Sequence, residues 1–167
     1  MPDNAHTLVL GLGNPLRGDD GVGPAVIAAL HSQGAPAGVT LLDGGTAGLE
    51  MLLLWEGYAR VIVVDSAEIH SPPGRWQRVD LSQTRLSRHP LTGTLHTAGL
   101  AEALALAEAL DRQPPELILF GVQPHSLAWE AGLSLPVTAA LPDLCRAVRD
   151  SAESPLTHPV ADSRCTG

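Results

Sequence analysis

Two rhythms of apolar and polar residues run through this chain. Continuous apolar runs of strand length occupy residues 7–12, 39–42, 60–64 and 117–122. Each is closed by glycine or a polar residue, the pattern of strands buried on both faces. Residues 75–81 alternate weakly and carry charge, which predicts an edge strand. Between the strands the spacing turns helical. Val22, Val26, Ile27 and Leu30 form one stripe within 22–31, and residues 49–58 predict a second helix. Thr97 is placed to cap a third helix running to residue 110. A last helix starts at Ser134 and runs towards residue 149, with Pro136 in its first turn and Pro142 kinking it. Residues 82–95 read as a loop, and Pro114-Pro115 breaks the chain before the last strand. Strands alternating with helices predict an α/β fold with a mostly parallel sheet. Residues 1–150 form one domain, and 151–167, without periodicity, are expected to be a disordered tail.

Composition narrows the picture. A chain of 167 residues suits one domain. Apolar residues make up 44% but aromatic residues only 3%, so the core must be aliphatic. The net charge of −8, with no Lys/Arg cluster, disfavours a nucleic-acid partner. No stretch approaches the roughly 18 apolar residues of a membrane span. Cys145 and Cys165 do not suggest a disulfide framework, and a reducing cytoplasm is the expected compartment.

The first strand runs into Gly11-Leu-Gly-Asn-Pro-Leu-Arg-Gly-Asp-Asp-Gly-Val-Gly23. Glycine turns of this kind often cradle phosphate on helix amides. Here Asp19 and Asp20 stand at the spot and would repel it. They suit a cation, and either could cap the following helix. Two more acids follow strands, Asp43 after the second and Asp65 after the third. Any one of them taken alone is more simply a cap or a turn residue. Their recurrence points to a shared site, because ligands of open parallel sheets bind beyond the carboxyl ends of strands where strand order reverses. If the second and third strands flank the first, Asp20 and Asp65 face one crevice. Of the seven histidines, His96 stands out, immediately before a capped helix. Two carboxylates and an imidazole suit a first-row divalent metal such as nickel, zinc or manganese. There is no G-x-S-x-G elbow, H-E-x-x-H helix, C-x-x-C pair, Walker loop or full dinucleotide fingerprint.

Taken together, the segment 11–23, Leu42-Asp-Gly-Gly-Thr-Ala-Gly-Leu-Glu50, Val61-Ile-Val-Val-Asp-Ser-Ala67, Leu95-His-Thr-Ala-Gly-Leu100 and Phe120-Gly-Val-Gln-Pro124 resemble the hydrogenase maturation proteases. These endopeptidases trim the C-terminus of a nickel–iron hydrogenase large subunit. The resemblance covers residues 7 to 149 and implies a three-layer α/β/α sandwich of the phosphorylase/hydrolase-like kind. Its twisted sheet would have five strands, mostly parallel, with an antiparallel edge. It also implies that the metal-contacting positions fall on Asp20, Asp65 and His96. Asp43 would match an acidic position tied to substrate recognition or cleavage, so all four residues are candidates for the catalytic site. The metal implied is nickel carried by the substrate, with zinc or cadmium able to take its place in vitro. The partner implied is the large-subunit precursor, met by a monomer. The family has Glu in some members where Asp20 stands, and more often Ser or Thr directly before proline where this chain has Ser134-Leu-Pro136.

Two other readings use some of the same residues. A non-catalytic metallochaperone or nickel-dependent binding module would use the same ligands without cutting. A peptidyl-tRNA hydrolase shares the Gly-Leu-Gly-Asn-Pro turn but requires a basic tRNA surface, which the charge of −8 opposes.

Overall fold

The apolar runs become the centre of one sheet. The computed structural model describes residues 6–82 and 99–157. In these residues the chain forms β1 (Thr7–Leu12), a 3₁₀ turn (Gly18–Gly21), α1 (Val22–Gln33), β2 (Val39–Gly45), α2 (Met51–Leu54) and β3 (Arg60–Ser66). It continues through β4 (Trp76–Asp80), α3 (Leu100–Ala109), β5 (Glu116–Val122) and α4 (Leu135–Glu153). The strand order is β2-β1-β3-β5-β4. Neighbours are parallel except β4, which runs antiparallel to β5 at the edge.

Alternation along the strands splits the core into two layers. Leu8, Leu10, Val61, Val63, Leu117 and Leu119 pack against Met51 of α2, Trp55 just beyond it, and Leu100 and Leu104 of α3. Val9, Ile62, Val64, Ile118 and Phe120 face the other way, against Val26, Ile27, Val137, Leu144 and Val148 of α1 and α4. Both layers are dominated by aliphatic side chains, as the low aromatic content requires. This double coverage explains why β1, β3 and β5 are buried along their whole length and read as unbroken apolar runs.

Several expected boundaries move. The second helix is one turn, Met51–Leu54, rather than 49–58, because Trp55 closes it and Gly57 follows in a left-handed conformation at φ 84°. The third helix starts at Leu100 with Gly99 at its N-cap, and Thr97, expected to cap it, lies outside the described residues. Neither Asp19 nor Asp20 caps α1, whose N-cap is Gly21 with no side-chain cap bond. The fourth helix continues to Glu153. The segment beyond it is held in place through Thr157, whose Oγ1 donates to Glu116 Oε1 at 2.9 Å. The part of the expected disordered tail that is described is therefore ordered. Residues 83–95 of the expected loop, and 158–167, lie outside the described residues. Among the described residues no helix is long and apolar enough to cross a membrane.

Candidate active site

From β1 the chain returns through α1 to β2 on one side, while β3 lies on the other. The strand order therefore reverses between β1 and β3, which opens a crevice at their carboxyl ends. The residues lining this crevice are set by close backbone packing. Gly13 has φ 124°, and a Cβ there would lie 1.7 Å from the Asp20 carbonyl oxygen. Only glycine fits this turn. Gly23 brings the start of α1 onto both strands: a Cβ there would meet Leu12 O at 2.2 Å and Val64 O at 2.7 Å.

Asp20 is 5% exposed. Its Oδ2 accepts from Asn14 N at 2.9 Å, and its Oδ1 accepts from Ser66 Oγ at 3.1 Å. Both donors are neutral, and no basic group among the described residues pairs with it. Ser66 thereby ties the turn after β1 to the end of β3. Asp65, fully buried, precedes Ser66 and accepts from its amide at 2.8 Å through Oδ1. By strand alternation Asp65 continues the row of Val61 and Val63 towards α2 and α3, whereas Ser66 continues that of Ile62 and Val64 towards α1. Asp20 thus meets the tip of β3 through Ser66, while Asp65 stands beside that contact on the row facing α2 and α3.

Asp43 lies one strand further out, on the edge strand β2, opposite Gly11 in register. It is exposed, and its Oδ1 accepts from Gly45 N at 2.9 Å within its own turn. The structure leaves it on the rim and does not join it to Asp20. His96 lies outside the described residues. The helix it precedes begins beside the loop after β2: a Cβ on Gly99 would lie 2.7 Å from Gly48 Cα. Among the described residues no three His, Cys, Asp or Glu side chains gather as a metal site.

Asp19 has a different task from its neighbour. Its Oδ1 accepts from Ser134 N at 2.7 Å, and its Oδ2 accepts from Ser134 Oγ at 2.8 Å, His125 N at 2.8 Å and Ser126 N at 3.2 Å. Burial alone pushes this carboxyl up. The bonds from Ser134, His125 and Ser126 outweigh burial and hold it below the usual aspartate value. Asp19 is thus a staple between the 3₁₀ turn, the loop after β5 and the start of α4. It also accounts for Ser134, whose hydroxyl bonds Asp19 and not the helix it precedes.

Two contributors escape sequence reasoning. Ser66 is one of many serines, and only its position after Asp65 on a buried strand marks it. Gln123 is buried at the end of β5, where its Oε1 accepts from Ile69 N at 2.9 Å and its Nε2 donates to Glu68 Oε2 at 3.1 Å. A glutamine directly after the apolar run 117–122 was the available signal.

A doubly wound α/β domain with buried carboxylates at its topological switch point has a ready counterpart among known proteins. The family model for hydrogenase maturation protease, HycI, matches residues 24–151. The hydrogenase expression/formation protein HupD of Bradyrhizobium diazoefficiens is 37% identical over 132 residues, covering 78% of this chain and 69% of that protein. The hydrogenase 2 maturation peptidase from a Thaumarchaeota archaeon superposes with a TM-score of 0.68 at 36% identity, covering 89% of this chain and 98% of that one. The hydrogenase maturating endopeptidase HybD from E. coli gives a TM-score of 0.68 at 32% identity, covering 87% and 93%. The chain belongs to the hydrogenase maturation protease family, and it is a peptidase.

Proposed function

We propose that this peptidase removes the C-terminal extension of a nickel–iron hydrogenase large-subunit precursor after nickel insertion, sensing the inserted ion through Asp20, Asp65 and His96. The observation that carries this reading is the buried Asp20 carboxylate at the switch point. It is bonded to neutral donors only and coupled through Ser66 to the strand that bears Asp65. Burying a carboxylate without a cation is costly unless hydrogen bonds or an incoming ion offset it. A site of this kind is suited to a cation that arrives with the substrate. His96 would be the third ligand, supplied from the stretch that precedes α3. In this reading nickel is part of the substrate. The protein's own part is to hold two carboxylates and an imidazole in fixed positions and to lay the peptide over the rim. Asp43, in its exposed turn beside the glycine loop 44–48, would contact the peptide chain.

The test is trimming of nickel-loaded precursor, followed by intact mass. Wild type is expected to release the extension. Asp20→Asn and Asp65→Asn are each expected to slow release by at least about 100-fold, with melting temperatures close to wild type because a buried charge is removed and a neutral acceptor kept. Intact trimming by a triple variant, Asp20→Asn, Asp65→Asn and His96→Ala, would refute the site. Binding of precursor by wild type with no mass change would favour the non-catalytic binding module.

A further inference from the structure

We propose that Leu16, Arg17 and Trp129 form a docking surface for the polypeptide substrate, and that Arg17 receives the carboxylate of an aspartate or glutamate side chain close to the scissile bond. This rests on the peptidase reading above and adds a determinant of which peptide is accepted.

Four observations carry it. Leu16 is 61% exposed and Trp129 is 76% exposed, a large apolar expense to water beside a buried acidic crevice. Neither sits on a loose loop. Gly18 N donates to Glu130 O at 2.7 Å, Asp19 N donates to Ser126 O at 2.9 Å, and the Asp19 carboxylate holds His125, Ser126 and Ser134. An exposed tryptophan displayed by a braced loop is a binding feature, since the large rigid ring gives contact area at small entropic cost. The Arg17 guanidinium lies 5.3 Å from the centre of the Trp129 ring. No acidic side chain among the described residues pairs with it, and its buried Nε finds no acceptor there, in a chain of net charge −8. A cation pre-oriented on an aromatic face and left without an anion is complementary to a carboxylate. Finally, Arg17 belongs to the same turn as Asp20, whose amide donates to the Arg17 carbonyl oxygen at 3.1 Å. A peptide over Asp20 must pass Arg17 within a few residues of the reacting bond. A side-chain carboxylate reaches that point whatever the length of the extension, whereas a free chain terminus does so only when the extension is very short.

The experiment uses the full chain and nickel-loaded precursor, with cleavage and equilibrium binding measured separately. Arg17→Glu and Trp129→Ala are each expected to raise KM, and weaken binding, by about tenfold, with kcat changed less than twofold and melting unchanged. A precursor whose acidic residue near the cleavage point is replaced by lysine should restore Arg17→Glu and impair wild type. Docking is overturned if wild type trims and both variants keep its KM, or if only kcat falls. It is also overturned if restoration comes from neutralising the chain terminus and not from the acidic side chain. If wild type binds without trimming, the peptidase function fails while the binding constants of the variants still judge the surface. If wild type neither trims nor binds, both ideas fall.

Discussion

The two ends of the parallel sheet handle buried charge in opposite ways. At the amino end, Arg60 of β3 and Glu116 of β5 are register partners, exposed by only 2% and 4%, and joined by Nε to Oε2 at 2.7 Å. Every remaining polar atom of the pair has work inside the protein. Arg60 Nη1 donates to Ser151 O and Ser154 O at 2.7 Å, its Nη2 donates to Pro155 O at 2.8 Å, and Glu116 Oε1 accepts from the amide and hydroxyl of Thr157. The end of α4 and the segment after it are locked over this pair. At the carboxyl end, Asp20 is almost as buried but meets neutral donors only. One end closes its charge balance internally and serves stability. The other leaves the Asp20 carboxylate with neutral donors and no basic partner among the described residues.

The strongest test breaks the closed end. Arg60→Ala strands Glu116 in the interior and is expected to cost about 3–5 kcal/mol, read as a lower urea midpoint with freer proteolysis beyond residue 150. Arg60→Met with Glu116→Leu removes both charges and should recover most of the loss. Trimming per folded molecule should stay near wild type in both. A marginal loss in Arg60→Ala would mean the pair is not what holds this end.

A second test moves the open end. Gly23→Ala places a methyl where Leu12 O and Val64 O already stand, at 2.2 and 2.7 Å. Helix α1 must lift from β1 and β3, at a cost of about 3 kcal/mol for overpacking against backbone. Because Asp20 and Ser66 meet across that contact, trimming should fall further than stability explains. Full trimming at an unchanged melting temperature would show that the seating of α1 does not set the site.

The closed end was much harder to read in the sequence than the open one. Four strands follow from the apolar runs, because double burial leaves a one-dimensional trace, whereas strand order leaves none, so the reversal between β1 and β3 stays conditional in the sequence and follows only from the sheet order. Asp20 and Asp65 were legible as acids that follow strands. The Arg60–Glu116 lock was not, since two strand-opening charges at positions 60 and 116 reveal their pairing only through register. The short second helix was hidden because Leu49, Leu53 and Leu54 keep helical spacing, while the stop at Trp55 and the left-handed Gly57 leave no apolar gap to mark it. Asp19 and Asp20 looked interchangeable, since adjacency says nothing about which carboxylate turns inward to the amides of a loop over a hundred residues away. Ser66 was invisible because its hydroxyl becomes an Asp20 partner only when the turn after β1 and the end of β3 come together.

The smallest effect separates those two neighbours. Asp19 does with neutral donors at the open end what Glu116 does with arginine at the closed one. Asp19→Asn puts an amide donor among groups that already donate and should cost about 1–2 kcal/mol at neutral pH. The sign of its pH dependence follows from the lowered carboxyl value. In the unfolded chain the group titrates near 3.9, roughly the free aspartate value. Above that the folded form gains the full benefit of the ionised carboxylate, and the benefit is lost as the pH falls through the lower folded value. Urea midpoints of wild type and Asp19→Asn should therefore differ by a constant amount above about pH 5 and draw together in more acidic solution. A gap that persists unchanged into acid would mean that Asp19 acts by shape alone, and that its charge has no part in bracing the rim on which Asp20 stands.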